Sequence, residues 1–458
     1  MEHAKENKMG TAAILPLIIS MSLPAMASML VQALYNVVDS IFVAQVSENA
    51  LTAVSLAFPV QNLLIAFSVG SGVGVNSLVA RKLGERDLHA ANSAATHGLV
   101  MGTLLSVPFI LFGLFFSGAF ANAFATTEAT AAQCADYLRI VSVCSFLVFI
   151  QVSCEKILQS TGNMLWPMIM QMTGAVTNII LDPIFIFGYL GLPAMGVTGA
   201  AIATVIGQGV GCAIGLFAMF FRNKALKVTL KGFRFHWQTI RNIYSVGIPS
   251  MIMQGIGSVM TMSMNTILGG FSETAVAVFG VYFKVQSFVF MPVFGMNAGV
   301  APIMGYNFGA RNKKRVLDAL KYALIIATTI MGLGMLIMQL FPDKILMIFD
   351  ASENMMSIGV SAFRAISLCF IPAAIGISFS SLFQATGRGV YSMSISMARQ
   401  LLMLIPCAFI LSKVGGLNAT WYAFPLAEII AIVLSVVFFL SLKRKVIDKL
   451  DEPVRRME

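Results

Sequence analysis

Charged residues are scarce in this chain. Of its 458 residues only 11% are Asp, Glu, Lys or Arg, whereas 58% are hydrophobic. A soluble protein carries about 25% charged residues, so the sequence leaves no room for a sizeable soluble domain. Because a helix satisfies its own backbone hydrogen bonds inside a bilayer, the composition predicts an all-α polytopic membrane protein.

Motifs for metal, redox and nucleotide chemistry are also missing. None of the six cysteines belongs to a Cys-x-x-Cys motif, and the four histidines form no His-Glu-x-x-His motif. A phosphate-binding loop of the Gly-x-x-x-x-Gly-Lys type is absent from the sequence. These gaps argue against a disulfide framework, a zinc site and direct use of ATP. We therefore expect buried, unreactive thiols and no cofactor.

Long apolar segments follow one another along the chain. A helix needs about 20 predominantly apolar residues to cross the hydrocarbon core. This criterion predicts twelve transmembrane helices, near residues 14–46, 50–80, 89–116, 130–154, 163–188, 196–221, 240–270, 276–305, 317–341, 356–383, 390–412 and 417–442.

The positive charges are distributed unevenly between the predicted loops. The net charge is +10, and the densest group of Lys and Arg lies in the connection at 222–241. If the N-terminus is inside, the outer loops keep only Lys344 and Lys413. This asymmetry follows the positive-inside rule and predicts that both termini are cytoplasmic. It explains the basic composition without a nucleic-acid partner, and we expect a monomer in a bacterial inner (plasma) membrane.

The two halves of the chain repeat each other. Pro24 and Pro249 lie 225 positions apart, and the same offset relates Arg139 to Arg364 and Gly162 to Gly387. An ungapped offset over six predicted helices gives both halves the same orientation in the membrane. It therefore predicts two parallel six-helix lobes around a central cavity. We predict an N-terminal lobe at 1–221, a cytoplasmic linker at 222–241, and a C-terminal lobe with a basic tail at 242–458.

A carboxylate lies deep in the first apolar segment. Asp39 ends a polar stripe with helical spacing that also contains Gln32, Tyr35 and Asn36. The fifth predicted helix carries a second stripe, formed by Gln171, Asn178 and Asp182. Because a charge at membrane depth is costly, it usually marks an ion or substrate path. The two stripes are therefore the first candidates for a transport site.

Two more ionisable residues lie at membrane depth in the second half, Lys284 in the eighth helix and Glu428 in the twelfth. One interpretation is a structural ion pair between them across the C-terminal lobe. The other is that Glu428 faces the cavity and attracts a cationic substrate. The sequence leaves both interpretations open.

The sixth predicted helix has glycines at every fourth position, Gly207, Gly211 and Gly215. Small residues at this spacing let two helix backbones approach closely. The pattern predicts a tight contact with a neighbouring helix and not a binding site.

Several motifs together resemble the multidrug and toxic compound extrusion (MATE) family. They are Pro24 followed by Tyr35-Asn36-Val37-Val38-Asp39, the segment Ala80-Arg81-Lys82-Leu83-Gly84-Glu85-Arg86-Asp87, Asn178-x-x-x-Asp182-Pro183, and Gly196-Val197-Thr198-Gly199. The resemblance covers nearly the whole chain and is closest to the DinF-like branch, which includes MepA-type multidrug pumps. The seventh helix, with Met260-Thr261-Met262-Ser263-Met264-Asn265, lacks the acid of the NorM-like branch.

The resemblance implies a site and a mechanism. It implies that Asp39, Asn178, Asp182 and Thr198 converge on a cation site in the N-terminal lobe, where H⁺ or Na⁺ binds. Exchange of that ion would drive export of amphipathic, cationic organic molecules, and Pro24 would let the first helix bend. Further candidates for contact with the substrate are Gln32, Tyr35, Asn36, Gln61, Met172, Met264 and Met291. A possible Na⁺ at Asp39 and Asp182 is the one metal that we expect.

Three alternatives compete with this reading. A lipid or lipid-linked oligosaccharide flippase of the same superfamily would more often have additional helices and a lumen rich in Arg and Lys. A major facilitator would carry Gly-x-x-x-Asp-Arg between its second and third helices, where this chain has Gly84-Glu85-Arg86-Asp87. An intramembrane enzyme would need a nucleophile–base pair or a metal cluster at depth. No such motif is visible, although residues from separate helices could still meet.

Overall fold

The structure is a computed structural model that describes residues 7–349 and 351–450. Within this part every regular element is helical. Ten helices are long and apolar enough to cross a membrane, and two bent helix pairs bring the number to twelve. The all-α, multi-spanning fold class is therefore confirmed. The predicted cytoplasmic termini, residues 1–6 and 451–458, lie outside the described residues.

The spans are numbered α1 to α12 in chain order. Their bounds are α1 Ile14–Val46, α2 Asn49–Gly84, α3 Leu88–Phe115, α4 Glu128–Val143 with Ser145–Ser160, α5 Leu165–Phe187, α6 Gly196–Arg222, α7 Trp237–Gly269, α8 Glu273–Gly309, α9 Lys313–Leu340, α10 Glu353–Ser367 with Phe370–Ala385, α11 Gly389–Val414 and α12 Gly416–Lys449. The bent pairs α4 and α10 turn by 45° and 44°.

The backbone repeats with the same offset as the sequence. The bends of α4 and α10 fall at Cys144 and Cys369, which lie 225 positions apart. After α2 and α8, Arg86 and Arg311 adopt left-handed φ angles of 61° and 57°, again 225 positions apart. The two halves therefore share local conformation, including a backbone state that side chains other than glycine rarely adopt.

Side-chain caps determine where α3 and α9 begin. Asp87 Oδ1 accepts a hydrogen bond of 2.9 Å from the backbone N–H of Ala90. Asn312, at the matching place in the second half, accepts one of 3.1 Å from the N–H of Arg315. Such caps satisfy donors that the first helical turn leaves free. Each half thus turns sharply from its second helix into its third.

The described chain divides into two compact units. The first contains Met1–Met26, Ala80–Arg86 and Ile252–Glu458, and the second contains Ala27–Val79 and Asp87–Met251. The division falls inside α1, α2 and α7, so each of these helices belongs partly to both units. The lobe boundaries predicted from the sequence stay a prediction.

Within the first unit, α8 packs closely on residues 21–26 of α1. A Cβ atom at Gly295 would lie 2.6 Å from Met26 Cα, and one at Gly299 would lie 2.9 Å from the carbonyl carbon of Met21. Only glycine allows the two backbones to come this close. This contact defines the rotation of α8, because the face that carries Gly295 and Gly299 is directed at α1.

We expect Gly295→Ala to destabilise the protein and Gly280→Ala to be tolerated. At Gly295 the new methyl group meets backbone atoms that cannot rotate away, and overpacking of this kind costs about 1–3 kcal/mol. At Gly280, on the same helix, nothing lies within 4 Å of a new Cβ. Thermal unfolding of both purified variants in detergent measures the difference. Equal melting temperatures would contradict the close contact of α8 with α1.

Candidate functional site

The second unit holds two carboxyl groups in direct contact. Asp39 of α1 and Asp182 of α5 are in hydrogen-bond contact through their side chains. Asp182 is fully buried, and Asp39 is partly buried. Two carboxylates this close in a medium of low dielectric constant cannot both stay ionised without a proton or a cation between them. The predicted meeting of Asp39 with Asp182 is therefore present in the structure.

Asn178 lies one turn before Asp182 on α5 and is also buried. In the orientation that gives both amide atoms a complementary partner, its nitrogen donates to Asp182 Oδ2 at 2.8 Å. Its oxygen then accepts from the backbone N–H of Thr204 at 2.9 Å. The spacing of four residues places amide and carboxylate on one helical face, so Asn178 orients Asp182 as the sequence led us to expect.

Two tyrosines and a threonine complete the surroundings of the pair. The side chains of Tyr35 on α1 and Tyr137 on α4 are both in hydrogen-bond contact with Thr204 on α6. Gln61 of α2 donates to the Tyr137 hydroxyl at 2.8 Å. Thr204 Oγ1 donates its proton to the carbonyl of Ala200 at 2.9 Å, which leaves its lone pairs for these neighbours. Five helices thus supply oxygen-bearing groups around the two acids.

One oxygen of each acid has no protein partner. Asp39 Oδ1 and Asp182 Oδ1 are buried without a hydrogen bond to any described residue. Buried polar atoms normally have partners, and a carboxylate oxygen is a ligand that hard cations prefer. The residues present therefore fit a proton or a small cation such as Na⁺, held by Asp39 and Asp182.

The structure does not bring Thr198 to this site. Thr198 lies in the first turn of α6, and its side chain makes no hydrogen bond to any residue in the described part of the chain. Thr204 takes the expected place, six residues later and about 9 Å further along the helix. The glycine pattern could have indicated it, because Gly207 packs on the backbone of Gly174 in α5. Thr204 lies one turn before Gly207, and its hydroxyl oxygen is 3.2 Å from the Asn178 amide of α5.

The residues predicted to contact the substrate differ in their exposure. Gln32 Nε2 donates to Asn36 Oδ1 at 3.4 Å, and Asn36 is exposed. Met172 and Met291 are half-buried. Met264 is 0% exposed and offers no surface to a ligand in this structure. The other candidates, Tyr35 and Gln61, belong to the surroundings of the acidic pair described above.

A second buried charge cluster in this unit escaped the sequence reasoning. Lys156 Nζ lies 3.0 Å from Glu155 Oε1 on α4, and both residues are less than 10% exposed. Gln171, the first member of the α5 stripe, donates to Glu155 Oε2 at 2.9 Å. Gln171 therefore binds Glu155, whereas Asp182, at the other end of the same stripe, belongs to the acidic pair.

In the first unit the predicted pair of Lys284 and Glu428 is wrong. Glu428 Oε1 accepts from Arg399 Nη1 at 2.7 Å, and Glu428 is 5% exposed. Lys284 is exposed and makes no salt bridge to any described residue. Arg399 lies in a π-helical turn of α11, Ala398–Leu404, that turns it toward α12. The sequence alone did not reveal it, because helical register does not show which faces of α8, α11 and α12 meet.

This pairing predicts the stability of three variants. Arg399→Met leaves a buried carboxylate unpaired and should lower the free energy of unfolding by roughly 3 kcal/mol. The double variant Arg399→Met/Glu428→Leu should recover most of this loss, because both charges are removed together. Lys284→Met should have no effect on stability. Denaturation in detergent measures the stability of all three variants. A destabilised Lys284→Met protein would support the ion pair of Lys284 with Glu428 instead.

Comparison with known proteins gives consistent results. The family model described as MatE matches residues 24–184 and 249–410. The multidrug export protein MepA of Staphylococcus haemolyticus is 25% identical over 433 residues, which cover 93% of this chain and 94% of that protein. The MepA of Staphylococcus aureus strain MSSA476 is 25% identical over 430 residues, with the same coverage of 93% and 94%.

Solved structures extend the likeness to the whole fold. An outward-facing multidrug resistance MATE family transporter of the MOP superfamily superposes with a TM-score of 0.91 at 27% identity, covering 99% of this chain and 100% of that one. A crystal structure of MATE in the bent conformation superposes with a TM-score of 0.86 at 29% identity, covering 95% of both chains.

Proposed function

The chain belongs to the MatE family, and on this premise we propose that it is a secondary antiporter that exports amphipathic organic molecules in exchange for H⁺ or Na⁺. The contact between Asp39 and Asp182, each with a buried oxygen that lacks a partner, carries the proposal. Export of drugs is supported by the matched relatives, which are multidrug export proteins. A flippase has no comparable support among them.

The acidic pair is the coupling element. With both carboxylates ionised their repulsion is large, so an incoming proton or cation binds favourably. Loading removes the repulsion and changes the hydrogen bonds that Asp39 and Tyr35 make from α1. Loss of the ion on the other side of the membrane restores the repulsion. The bound ion thereby biases two arrangements of α1, which is the requirement for coupling ion and substrate movement.

Pro24 gives α1 a place to bend. The helix continues through Pro24, whose ring removes one backbone hydrogen bond from the helix. The boundary of the two compact units follows at residues 26 and 27. A change of hydrogen bonding at Asp39 therefore acts on a helix that is weakened near the point where it passes from one unit to the other.

The substrate side is less specialised than the ion site. Gln32 and Asn36 lie on the same face of α1 as Asp39, at the spacing of a helical stripe. Methionines such as Met172 and Met291 adapt to different apolar shapes. We propose that these residues contact amphipathic molecules, that the protein works as a monomer, and that it lies in a bacterial plasma membrane with both termini in the cytoplasm.

The first experiment is efflux of ethidium from proteoliposomes, driven by an imposed pH gradient or by an imposed Na⁺ gradient. Asp39→Asn and Asp182→Asn should each reduce gradient-driven efflux to the level of empty liposomes. Each variant has only one carboxylate left, so there is no repulsion between two charges for the ion to relieve. Asp136→Asn, which changes an exposed acid of α4, is the matched control and should transport normally.

The outcome also selects the ion. Efflux driven by the pH gradient alone would assign H⁺, and efflux that needs Na⁺ would keep the site and change its ion. Normal efflux by both Asp→Asn variants would show that the acidic pair is structural. Wild-type protein that is folded but moves no dye under either gradient would contradict the antiport proposal.

A further inference from the structure

The connection between α6 and α7, residues 223–236, is fixed to α3 of the same compact unit. The backbone N–H of Lys227 donates to Asn92 Oδ1 at 2.8 Å. The backbone N–H of His236 donates to His97 Nε2 at 2.9 Å. Because both acceptors belong to α3, the connection is attached at two points and has a defined inner side.

The connection follows the ends of the helices and does not extend away from them. Asn92 and His97 lie about 6 and 14 Å along the axis of α3 from its first residue, Leu88. Leu226 of the connection is buried, and the centroid of the Phe233 ring lies 4.8 Å from that of the His97 ring. The connection therefore lies beside the ends of α3, α6 and α7, near the level at which these spans are expected to leave the bilayer.

The exposed side of the connection carries positive charge that no acid balances. All four of its basic residues are exposed, namely Lys224, Lys227, Lys231 and Arg234. The sequence contains no Asp or Glu between Asp182 and Glu273. None of the four makes a salt bridge to a residue that the structure describes, whereas Lys313 is paired with Asp448 at 2.9 Å in the other unit.

Large apolar side chains are exposed beside these charges. Leu230 is 59% exposed, and Trp237, the first residue of α7, is 75% exposed. Tryptophan at the end of a span is typical of the boundary between hydrocarbon and water. Lysine and arginine near this boundary attract anionic head groups. The connection thus offers both kinds of contact that an anionic lipid surface needs.

We propose that the connection between α6 and α7 is a binding surface for anionic phospholipids such as phosphatidylglycerol. Lipid phosphates supply the negative charge that the protein does not provide here, while Leu230 and Trp237 enter the outer part of the acyl-chain region. The bonds to Asn92 and His97 hold the backbone in place, so lipid binding orders less chain than it would in a free loop. Lipid binding at this surface does not depend on antiport.

The fluorescence of Trp237 reports which lipid lies beside the connection. The full chain is reconstituted in mixed bilayers of phosphatidylcholine and phosphatidylglycerol, in which one lipid at a time carries bromine on its acyl chain and quenches nearby tryptophan. Trp166→Phe removes one of the three tryptophans, and Trp421 is fully buried. Subtracting the signal of Trp166→Phe/Trp237→Phe protein leaves Trp237 alone. We expect phosphatidylglycerol to be enriched beside Trp237 roughly fivefold or more over phosphatidylcholine.

Two triple variants with the same change in net charge locate the cause. One removes three charges of the connection, Lys224→Gln/Lys227→Gln/Lys231→Gln. The other removes three exposed charges near the end of α12, Arg444→Gln/Lys445→Gln/Lys449→Gln. The first should abolish the preference for phosphatidylglycerol at Trp237, and the second should leave it unchanged.

Salt provides a test that needs no change in the connection. Because salt screens exposed charges, the preference should fall as the ionic strength rises. Equal quenching by both brominated lipids at low salt would overturn the proposal, and so would a preference that salt or the first triple variant leaves intact. Loss of the preference on addition of inorganic phosphate, at an ionic strength held constant with NaCl, would identify a site for a free anion and would equally contradict a lipid-binding surface.

Discussion

The contact between the Asp39 and Asp182 carboxyl groups is the constraint on which the N-terminal site depends. Two acids held together away from water need a proton or a cation, and the neighbouring groups are arranged to hold them in that state. Asn178 orients Asp182, and Thr204 connects α6 with the tyrosines of α1 and α4. Because these groups come from separate helices, a change of charge at the pair alters the bonds between helices as well as those within the site.

The two halves of the repeat have diverged in their use of charge. In the second unit Asp39 and Asp182 have no basic partner among the described residues, and each keeps one oxygen without a hydrogen bond. In the first unit Arg399 neutralises Glu428 permanently, so this carboxylate is not free to exchange ions. One duplicated fold thus contains an acidic pair with unpaired oxygens in one unit and an acid bound to an arginine in the other. Duplication preserved the bends at Cys144 and Cys369, but not the chemistry.

Much of the fold was predictable, because its determinants are local. Apolar length gives the number of spans, and the offset between Pro24 and Pro249 gives the repeat. The acidic pair was predictable because carboxylates are rare at membrane depth. The errors concern contacts between helices. Thr198 was expected where Thr204 lies at the site, and one of the two interpretations of Lys284 paired it with Glu428, the partner of Arg399. Sequence position determines the depth of a residue along its helix. The partner of its side chain depends on how each helix is rotated about its own axis, and close glycine contacts such as that of Gly174 with Gly207 determine this rotation.

The central claim is that the pair exchanges a proton or a cation, and infrared difference spectroscopy of the carboxyl groups tests it most directly. Spectra of purified protein would be compared between low and high pH, and with and without Na⁺. We predict a protonated carboxyl band at low pH that disappears at high pH or on addition of Na⁺, and that is absent from Asp182→Asn protein. A wild-type spectrum without such a band, or a band that persists in Asp182→Asn, would contradict the account.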